Sequence, residues 1–507
     1  MAKIIKNLEK SYLSFKDKNY ILALSLAEEI LVADKNTDAF VLAGMSSYHL
    51  GKYQEASKYL YSGFILKPTD KVIQVYLLEA YLKTDKIIDG LKIVQNILNK
   101  DETLKILEIQ FLEKLGEFNL VIIKTKKLGE TISKFEYLAW NYEILNQIKL
   151  AKTNALYGLK INKKNFKCLM VLSKYYFRKN KPKISLKYLS KIDNKVLNIT
   201  NKSLYFSAKA QVYEKLKKYK SAFKNYSKSN HLLKLSYEYS ILKSNSKYSI
   251  ESIKNIEKYF TTKPKFNNLI EMDDKITFMV GFPRSGTTLL ENILKKHTQI
   301  NSIEEKPLVE EILNYFLSTP QSIRNLEQIS DKEIINLQQL YLNNRHQYTE
   351  NNEQIIIDKL PLNFIHIGIL YRIFPHAKFI ISLRDIRSVA LSCYFQSFKL
   401  NDAMINFLDW NTTLEYLNRV QKLGMNILKN YPLKYEIIYY EKLIDKPYKN
   451  IKRILKLLGL PWQKEIKNYR KHLIGKNINT PSYHRVVQKI DKSQKQKWKN
   501  YKFVFDE

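Results

Sequence analysis

In the first half of the chain, apolar and small positions recur at helical spacing, and one compact residue returns at a steady interval. Ala23, Ala56, Gly90, Val121, Ala151, Ser185 and Ala222 are separated by 33, 34, 31, 30, 34 and 37 residues. The clearest unit runs from about Asn36 to Thr69. Phe40 and Gly44 fall on its first helix, Gly51, Lys52 and Tyr53 make the turn, and Ala56, Leu60 and Gly63 follow on the second, with Pro68 closing the unit. The small residues let two helices approach closely, while Phe40, Tyr53 and Leu60 fill the space between them. Residues 203–232 repeat the pattern with Ala210, Tyr213, Tyr219, Ala222 and Tyr226. A single unit of this kind cannot bury its own apolar stripe, so the units must stack.

A period near ~34 residues on a helix–turn–helix unit resembles the tetratricopeptide repeat, and about seven units, some degenerate, fit between residues 3 and 235. The pattern predicts an all-α solenoid over residues 1–240. Residues 241–274 read as a poorly periodic connector, with SNSKYS and TTKPKFNN as polar breaks at and around it.

Beyond the connector the period changes. Short β-rich runs alternate with helical ones over residues 275–507. Strands are expected at Ile276–Val280, Gln354–Asp358, Lys378–Leu383 and Tyr435–Tyr439. Helices are expected at Thr287–Lys296, Leu362–Phe374 and Ile386–Phe398. Such alternation implies crossover connections and a mostly parallel sheet flanked by helices. Ligands of these sheets sit at the carboxyl ends of the strands. The four strands run out at Arg284, Lys359, Arg384 and Tyr440, so the polar chemistry gathers where a ligand is expected.

The segment Gly281–Thr288 (GFPRSGTT) follows the first strand and opens a helix. Its glycine spacing is that of a P-loop, whose successive N–H groups wrap a phosphate at a helix N-terminus. A nucleotide-hydrolysing loop continues Gly-Lys-Ser/Thr. Here Thr287 occupies the lysine's place and a cation, Arg284, lies inside the loop. Without that lysine and a Mg²⁺ ligand set, ATP chemistry is disfavoured. Anionic charge must be met by N–H groups, by the hydroxyls of Ser285, Thr287 and Thr288, and by Arg284.

This loop resembles the 5′-phosphosulfate loop of sulfotransferases, in the form seen in tyrosylprotein sulfotransferases and in bacterial sulfotransferases with tetratricopeptide repeats. The resemblance implies 3′-phosphoadenosine 5′-phosphosulfate (PAPS) as sulfuryl donor, no metal, and a P-loop-like α/β domain. Arg284, Ser285, Gly286, Thr287 and Thr288 would hold the 5′ end of the donor. Leu383–Ser392 is similar to the family's 3′-phosphate segment, so Arg384 and Ser392 would clamp that phosphate, a sensible use of an Arg fork and a hydroxyl. Tyr440, before Glu441, carries over as a further 3′-phosphate contact. A 3′-phosphate distinguishes this donor from ATP, so the second segment separates sulfuryl from phosphoryl transfer.

Sulfuryl transfer needs a base for the acceptor's proton and positive charge near the leaving phosphate. Asn301–Pro307 (NSIEEKP) resembles the family's segment in which the first Glu is the base, implying Glu304, with Glu305 in reserve because Ile303 replaces the family's glycine. Asp358–Asn363 (DKLPLN) is similar to another family element and implies that Lys359 acts with Arg284 on the transferring group. Near the C-terminus, Ser482 and Lys489, with Gln488 an alternative register, match a closing segment that would cover the cofactor phosphates.

Composition changes this picture little. The 507 residues are 45% hydrophobic and 26% charged, values of an ordinary globular protein. The formal net charge of +36 comes from lysines spread along the whole chain, with no groove-reading motif, so a nucleic-acid partner is not indicated. Two cysteines give no disulfide framework, and no Cys-x-x-Cys pair or His-Glu-x-x-His suggests a metal. No apolar run is long enough to span a membrane, and the opening MAKIIKNLEK lacks the apolar core of a secretory signal; the expected compartment is the cytoplasm. The expected partner is a protein or polymeric hydroxyl acceptor docked on the repeats, a protein tyrosine by family likeness, although a carbohydrate or small molecule fits equally. A repeat scaffold fused to an inactive nucleotide-binding domain is the alternative.

Overall fold

The computed structural model describes residues 2–236, 239–240, 242, 247–266, 269–270, 276–349, 354–467 and 492–505. The chain forms two compact units, Met1–Asp193 and Asn194–Glu507.

The first unit is a run of antiparallel helix pairs, from Ala2–Lys16 with Tyr20–Ala33 to Phe166–Arg178 with Pro182–Leu189. The residues that recur in the sequence are the ones that pack: Ala23, Ala56, Val121 and Ser185 are fully buried. Gly44 shows why a small side chain is needed, since a Cβ there would lie 2.5 Å from Leu60 Cγ. First helices begin on side-chain caps, Asn36 accepting from Ala39 N–H, Asp101 from Leu104 and Asn165 from Cys168, each satisfying a donor that the helix start leaves free.

The repeat pattern continues past the boundary between the units. Helices Ile199–Lys215 and Tyr219–Lys234 carry the expected Ala210 and Ala222, both fully buried, yet they belong to the second unit. There Tyr226 stacks on Phe395 at 4.0 Å and Phe223 on Tyr394 at 5.4 Å. The stretch read as a connector contains a helix, Ile250–Thr261, whose Ile253, Ile256 and Phe260 enter the main core. Its one-sided apolar stripe is short, and the polar breaks around it hid it.

The second unit is organised on a five-stranded parallel sheet in the order β2-β3-β1-β4-β5. The strands are β1 Thr277–Gly281, β2 Ile300–Glu304, β3 Ile355–Lys359, β4 Lys378–Leu383 and β5 Lys434–Tyr439. Four match expected strands to within a residue at either end. The edge strand β2 was not expected, because Asn301, Ser302 and Glu304 interrupt its apolar pattern. Expected helices are shorter than their patterns: Thr287–Leu294, a 3₁₀ turn Pro361–His366 followed by Ile367–Ile373, and Ile386–Tyr394.

Side chains alternate between faces along each strand. Phe278, Val280, Phe379 and Ile381 pack into the larger core, while Met279, Ile355, Ile357 and Ile380 pack into the smaller one with Leu290, Ile293 and Leu294. Both faces are therefore covered, as a parallel sheet requires. From β1 the chain runs to the edge at β2, returns through β3, and then crosses to β4 on the other side of β1. The chain therefore leaves β1 and β4 toward opposite edges of the sheet, the arrangement in which parallel sheets bind ligands at their strand ends.

Candidate active site

The loop after β1 is shaped for close contact. Gly286 has φ +102°, and a Cβ there would sit 2.5 Å from the Tyr440 ring, so only glycine fits both the backbone and the space. Arg284 holds a left-handed φ of +70°, uncommon for a residue with a side chain and a form of strain that clusters at functional sites. Both donors of Ser285 turn inward: its N–H and its hydroxyl bond to the Phe282 carbonyl, at 3.2 and 2.7 Å. Ser285 is fully buried, so it closes the turn. Thr287 and Thr288 open the helix Thr287–Leu294, whose first turn carries no acidic residue. The free N–H groups and positive dipole end of that turn suit an anion.

The loop after β4 meets this loop directly. Arg384 donates from Nη1 to the Arg284 carbonyl at 3.1 Å, and Arg284 donates from Nε to Ser392 Oγ at 3.1 Å. The Arg384 guanidinium lies 4.6 Å from the centre of the Tyr440 ring. Arg284, Arg384, Ser392, Gly286 and Tyr440, named separately from the sequence, thus form one continuous arc at the ends of β1, β4 and β5. Below it Cys393 is buried and its thiol is pushed up to about 12 by burial, against the pull of Arg284 and Arg384.

The helix carrying Ser392 is fixed at its start. Asp385 caps it, accepting from the N–H groups of Arg387 and Ser388, and pairs with the Arg387 guanidinium at 2.7 Å. Burial alone would raise the Asp385 carboxyl; these hydrogen bonds outweigh it and hold the group below the usual range. Arg387 stacks 3.4 Å from the centre of the Trp498 ring, and the Asp385 N–H donates to Glu441. Neither Trp498 nor Glu441 was singled out as a support of this loop, because the contact joins segments more than 50 residues apart.

The acidic part of the site gathers around Lys359. The pleat sends Lys359 to the face of Ile355 and Ile357, where helix Thr287–Leu294 lies, and the register sets Glu304 opposite it. Lys359 Nζ is 2.9 Å from Glu304 Oε1, 2.9 Å from Glu305 Oε1 and 3.4 Å from Glu291 Oε2. The lysine is 0% exposed. Burial by itself would depress its ammonium; the carboxylates of Glu291, Glu305 and Glu304 reverse this and raise it. Glu305 has a left-handed φ of +51°, and its N–H bonds to the Lys359 carbonyl at 2.8 Å. These partners of Lys359 are all carboxylates. Glu291 lies outside the sequence pattern, although a carboxylate on a helix with Leu290, Ile293 and Leu294 is a visible signal. Ser482 and Lys489 lie outside the described residues.

The chemistry of the arc fits an anionic, phosphate-bearing ligand. Two half-buried guanidinium groups, a helix N-terminus and a hydroxyl lie together at these strand ends, with an aromatic ring against one guanidinium. Lys359, Glu304 and Glu305 stand at the ends of the neighbouring strands, with Glu291 on the helix beneath them.

Residues 277–464 match the sequence model of the Sulfotransferase family. Protein-tyrosine sulfotransferase A of Caenorhabditis elegans is 27% identical over 235 residues, covering 42% of this chain and 57% of that protein. Protein-tyrosine sulfotransferase of Drosophila melanogaster is 25% identical over 253 residues, 48% of each chain. An uncharacterized protein of Aquifex aeolicus is 29% identical over 232 residues, 44% of this chain and 30% of its own length. The alignments thus span about half the length of these relatives or less. Among solved structures, a tetratricopeptide repeat protein from Parabacteroides merdae covers 46% of this chain at TM-score 0.41 and 12% identity. The sulfotransferase domain of the curacin biosynthetic pathway covers 47% at TM-score 0.32 and 17% identity. The β-sheet unit of this chain is therefore similar to the Sulfotransferase family over residues 277–464.

Proposed function

We propose that this chain transfers a sulfuryl group from PAPS to an acceptor hydroxyl, and that the acceptor is a protein tyrosine. The observation that carries the reading is the meeting of the two basic loops, with Arg384 Nη1 3.1 Å from the Arg284 carbonyl. A bisphosphorylated nucleotide is a ligand that needs both. The tyrosine acceptor is supported by relatives named protein-tyrosine sulfotransferase.

The bound donor would supply an activated sulfuryl group on a phosphate leaving group. Arg284, Gly286, Thr287 and Thr288 bind its 5′ end, with Ser285 closing the turn beneath. Arg384, Ser392 and Tyr440 hold the 3′-phosphate. Glu304 takes the acceptor proton on a carboxylate oxygen. Lys359, already bonded to that carboxylate, presents positive charge beside it. The repeats of the first unit dock the protein that carries the acceptor.

Calorimetry with 3′,5′-adenosine bisphosphate and with ATP tests the donor. The bisphosphate binds more tightly in the wild type, and Arg384→Ala removes that preference. Tighter binding of ATP would replace this reading with a nucleotide kinase. A Glu304→Gln variant loses about 10²–10⁴-fold in transfer, the usual contribution of a positioned base. Full turnover in both Glu304→Gln and Glu305→Gln would move the base elsewhere, and a wild type that binds the bisphosphate without transferring would leave a repeat scaffold with an inactive domain.

A further inference from the structure

Lys359 has one ammonium and three carboxylates, and the three are not equivalent. Glu304 and Glu305 stand at the rim, with side chains 31% and 46% exposed. Glu291 is 2% exposed and rises from beneath, on the helix that begins with the anion-binding loop. It is itself fixed on two sides, by Ser302 Oγ at 2.5 Å from its Oε1 and by Lys295 at 2.9 Å. Ser302 belongs to β2, two residues before Glu304, so the same edge strand carries the proposed base and the hydroxyl that fixes Glu291.

We propose that Glu291 is a positioning residue: it anchors the Lys359 ammonium from below while the rim carboxylates exchange protons and partners with the substrate. This inference rests on the sulfuryl-transfer reading for its purpose, and on the Glu291–Lys359–Glu304 geometry for its existence. When Glu304 accepts a proton, Lys359 loses one of its negative neighbours. A fully buried ammonium without compensation would give up its own proton or leave the site. Glu291 cannot be reached by solvent and its charge is held by Lys295 and Ser302, so it remains the constant partner. Burial would raise the Glu291 carboxyl, but Lys359, Lys295 and the Ser302 hydroxyl hold it below the usual range. The charged groups in contact around the ammonium are therefore Glu291 and, through it, Lys295 on the helix side, Glu304 on β2 and Glu305 just beyond it.

The test compares the full-length wild type with Glu291→Gln and Ser302→Ala, the amide keeping the shape of the carboxylate. In protein carrying ¹³C-labelled lysine, the Lys359 Cε resonance stays flat between pH 7 and 10 in the wild type. Its titration begins within that range in Glu291→Gln, moved down by about one pH unit or more, as expected when an opposite charge within ~4 Å is removed. Ser302→Ala moves it the same way by less. In transfer assays the alkaline limb of kcat moves down with it, while affinity for 3′,5′-adenosine bisphosphate is unchanged. A residue that only supported the fold would lower activity without moving the limb. An unshifted Lys359 resonance in Glu291→Gln overturns the inference, as does an unshifted one in Ser302→Ala should Glu291→Gln fail to fold. A wild type without transfer activity would remove the sulfuryl-transfer reading, yet the resonance would still decide whether Glu291 anchors Lys359.

Discussion

The two units of this chain use contact over very different lengths of sequence. In the first unit, polar contacts between helices reach one repeat away: Asn141 to Glu113, Asn165 to Glu136 and Lys174 to Glu143 join residues 28, 29 and 31 apart. In the second, Arg384 to Arg284, Arg284 to Ser392 and Ser207 to Ser397 join residues 100, 108 and 190 apart. A stack of repeats is a one-dimensional object whose stability adds up neighbour by neighbour. A parallel sheet must close long loops before any site exists. The difference explains why the chemistry lies in the second unit. A phosphate cradle needs groups from several strand ends at once, and near-neighbour packing cannot supply them.

The largest effects should come from emptying each core. Phe364→Ala, in the core beneath Phe282 and against Gly424, should cost about 3–5 kcal/mol, and Leu77→Ala in the repeats about 2–5 kcal/mol. Hydrogen exchange distinguishes the two. Loss of protection after Phe364→Ala should spread over the whole sheet unit, whereas after Leu77→Ala it should stay within the adjoining repeats. Spread of equal extent in both would end the contrast.

The final helical pair is a sharper test, because by sequence it is a repeat and by packing it is part of the sheet unit. Tyr226→Ala removes a ring stacked on Phe395. It should destabilise the second unit by about 3 kcal/mol, in line with other aromatic truncations. Exchange protection in the helix Ile386–Tyr394 should fall with it, and an effect confined to residues 199–234 would return this pair to the repeats.

Two helix caps give a matched pair of smaller effects. Asn36→Ala and Asp385→Ala each remove a side-chain acceptor at a helix start, worth about 1 kcal/mol by thermal or urea unfolding. Only Asp385→Ala should also weaken binding of 3′,5′-adenosine bisphosphate, because its helix carries Ser392. Equal binding in both variants would mean that the cap does not hold the arc.

The smallest net effect on the unaltered chain is a pair of opposed pH slopes in the segment Asp358–His366. Burial pushes the Asp358 carboxyl up to about 7 and pushes the His366 imidazole down to about 3. Between about pH 4 and 6.5 the unfolded chain binds less proton at residue 358 and more at residue 366 than the folded one. The first makes stability fall with rising pH, the second makes it rise, and the two offset. Asp358→Asn should leave stability rising over this window, and His366→Gln should leave it falling up to about pH 7. Urea midpoints at half-unit intervals of pH would show the slopes, and unchanged midpoints in both variants would mean that neither group is held as described.

What could be read in the sequence follows the same division of contact lengths. The repeats were legible because each small residue meets a partner about one period away. Strands β1, β3 and β4 were legible because their apolar runs are buried on both faces, and the half-exposed edge strand β5 because its run is rich in Tyr and Ile. The loop at Gly281–Thr288 was legible because turn, charge and helix start are written in eight successive residues. Strand β2 was not, since it is paired on one side only and tolerates Asn301, Ser302 and Glu304. The grip of three carboxylates on Lys359 depends on the register of that strand, which no local pattern encodes. The place where repeats end and the sheet unit begins was hidden for a related reason: Ala210 and Ala222 obey the repeat, and only Tyr226, Phe223 and Asn230 reveal, through Phe395 and Tyr394, where the pair is anchored.

The aromatic joint of Phe223, Tyr226, Tyr394, Phe395 and Tyr501 also restricts how this architecture can be recombined. Helices Ile199–Lys215 and Tyr219–Lys234 have to travel with the sheet unit when the repeats ahead of residue 194 are exchanged. A junction placed at the end of the recognisable repeats would sever the joint and leave its rings bare. For anyone assembling chimeras from such chains, the useful seam lies one repeat earlier than the repeat motif suggests.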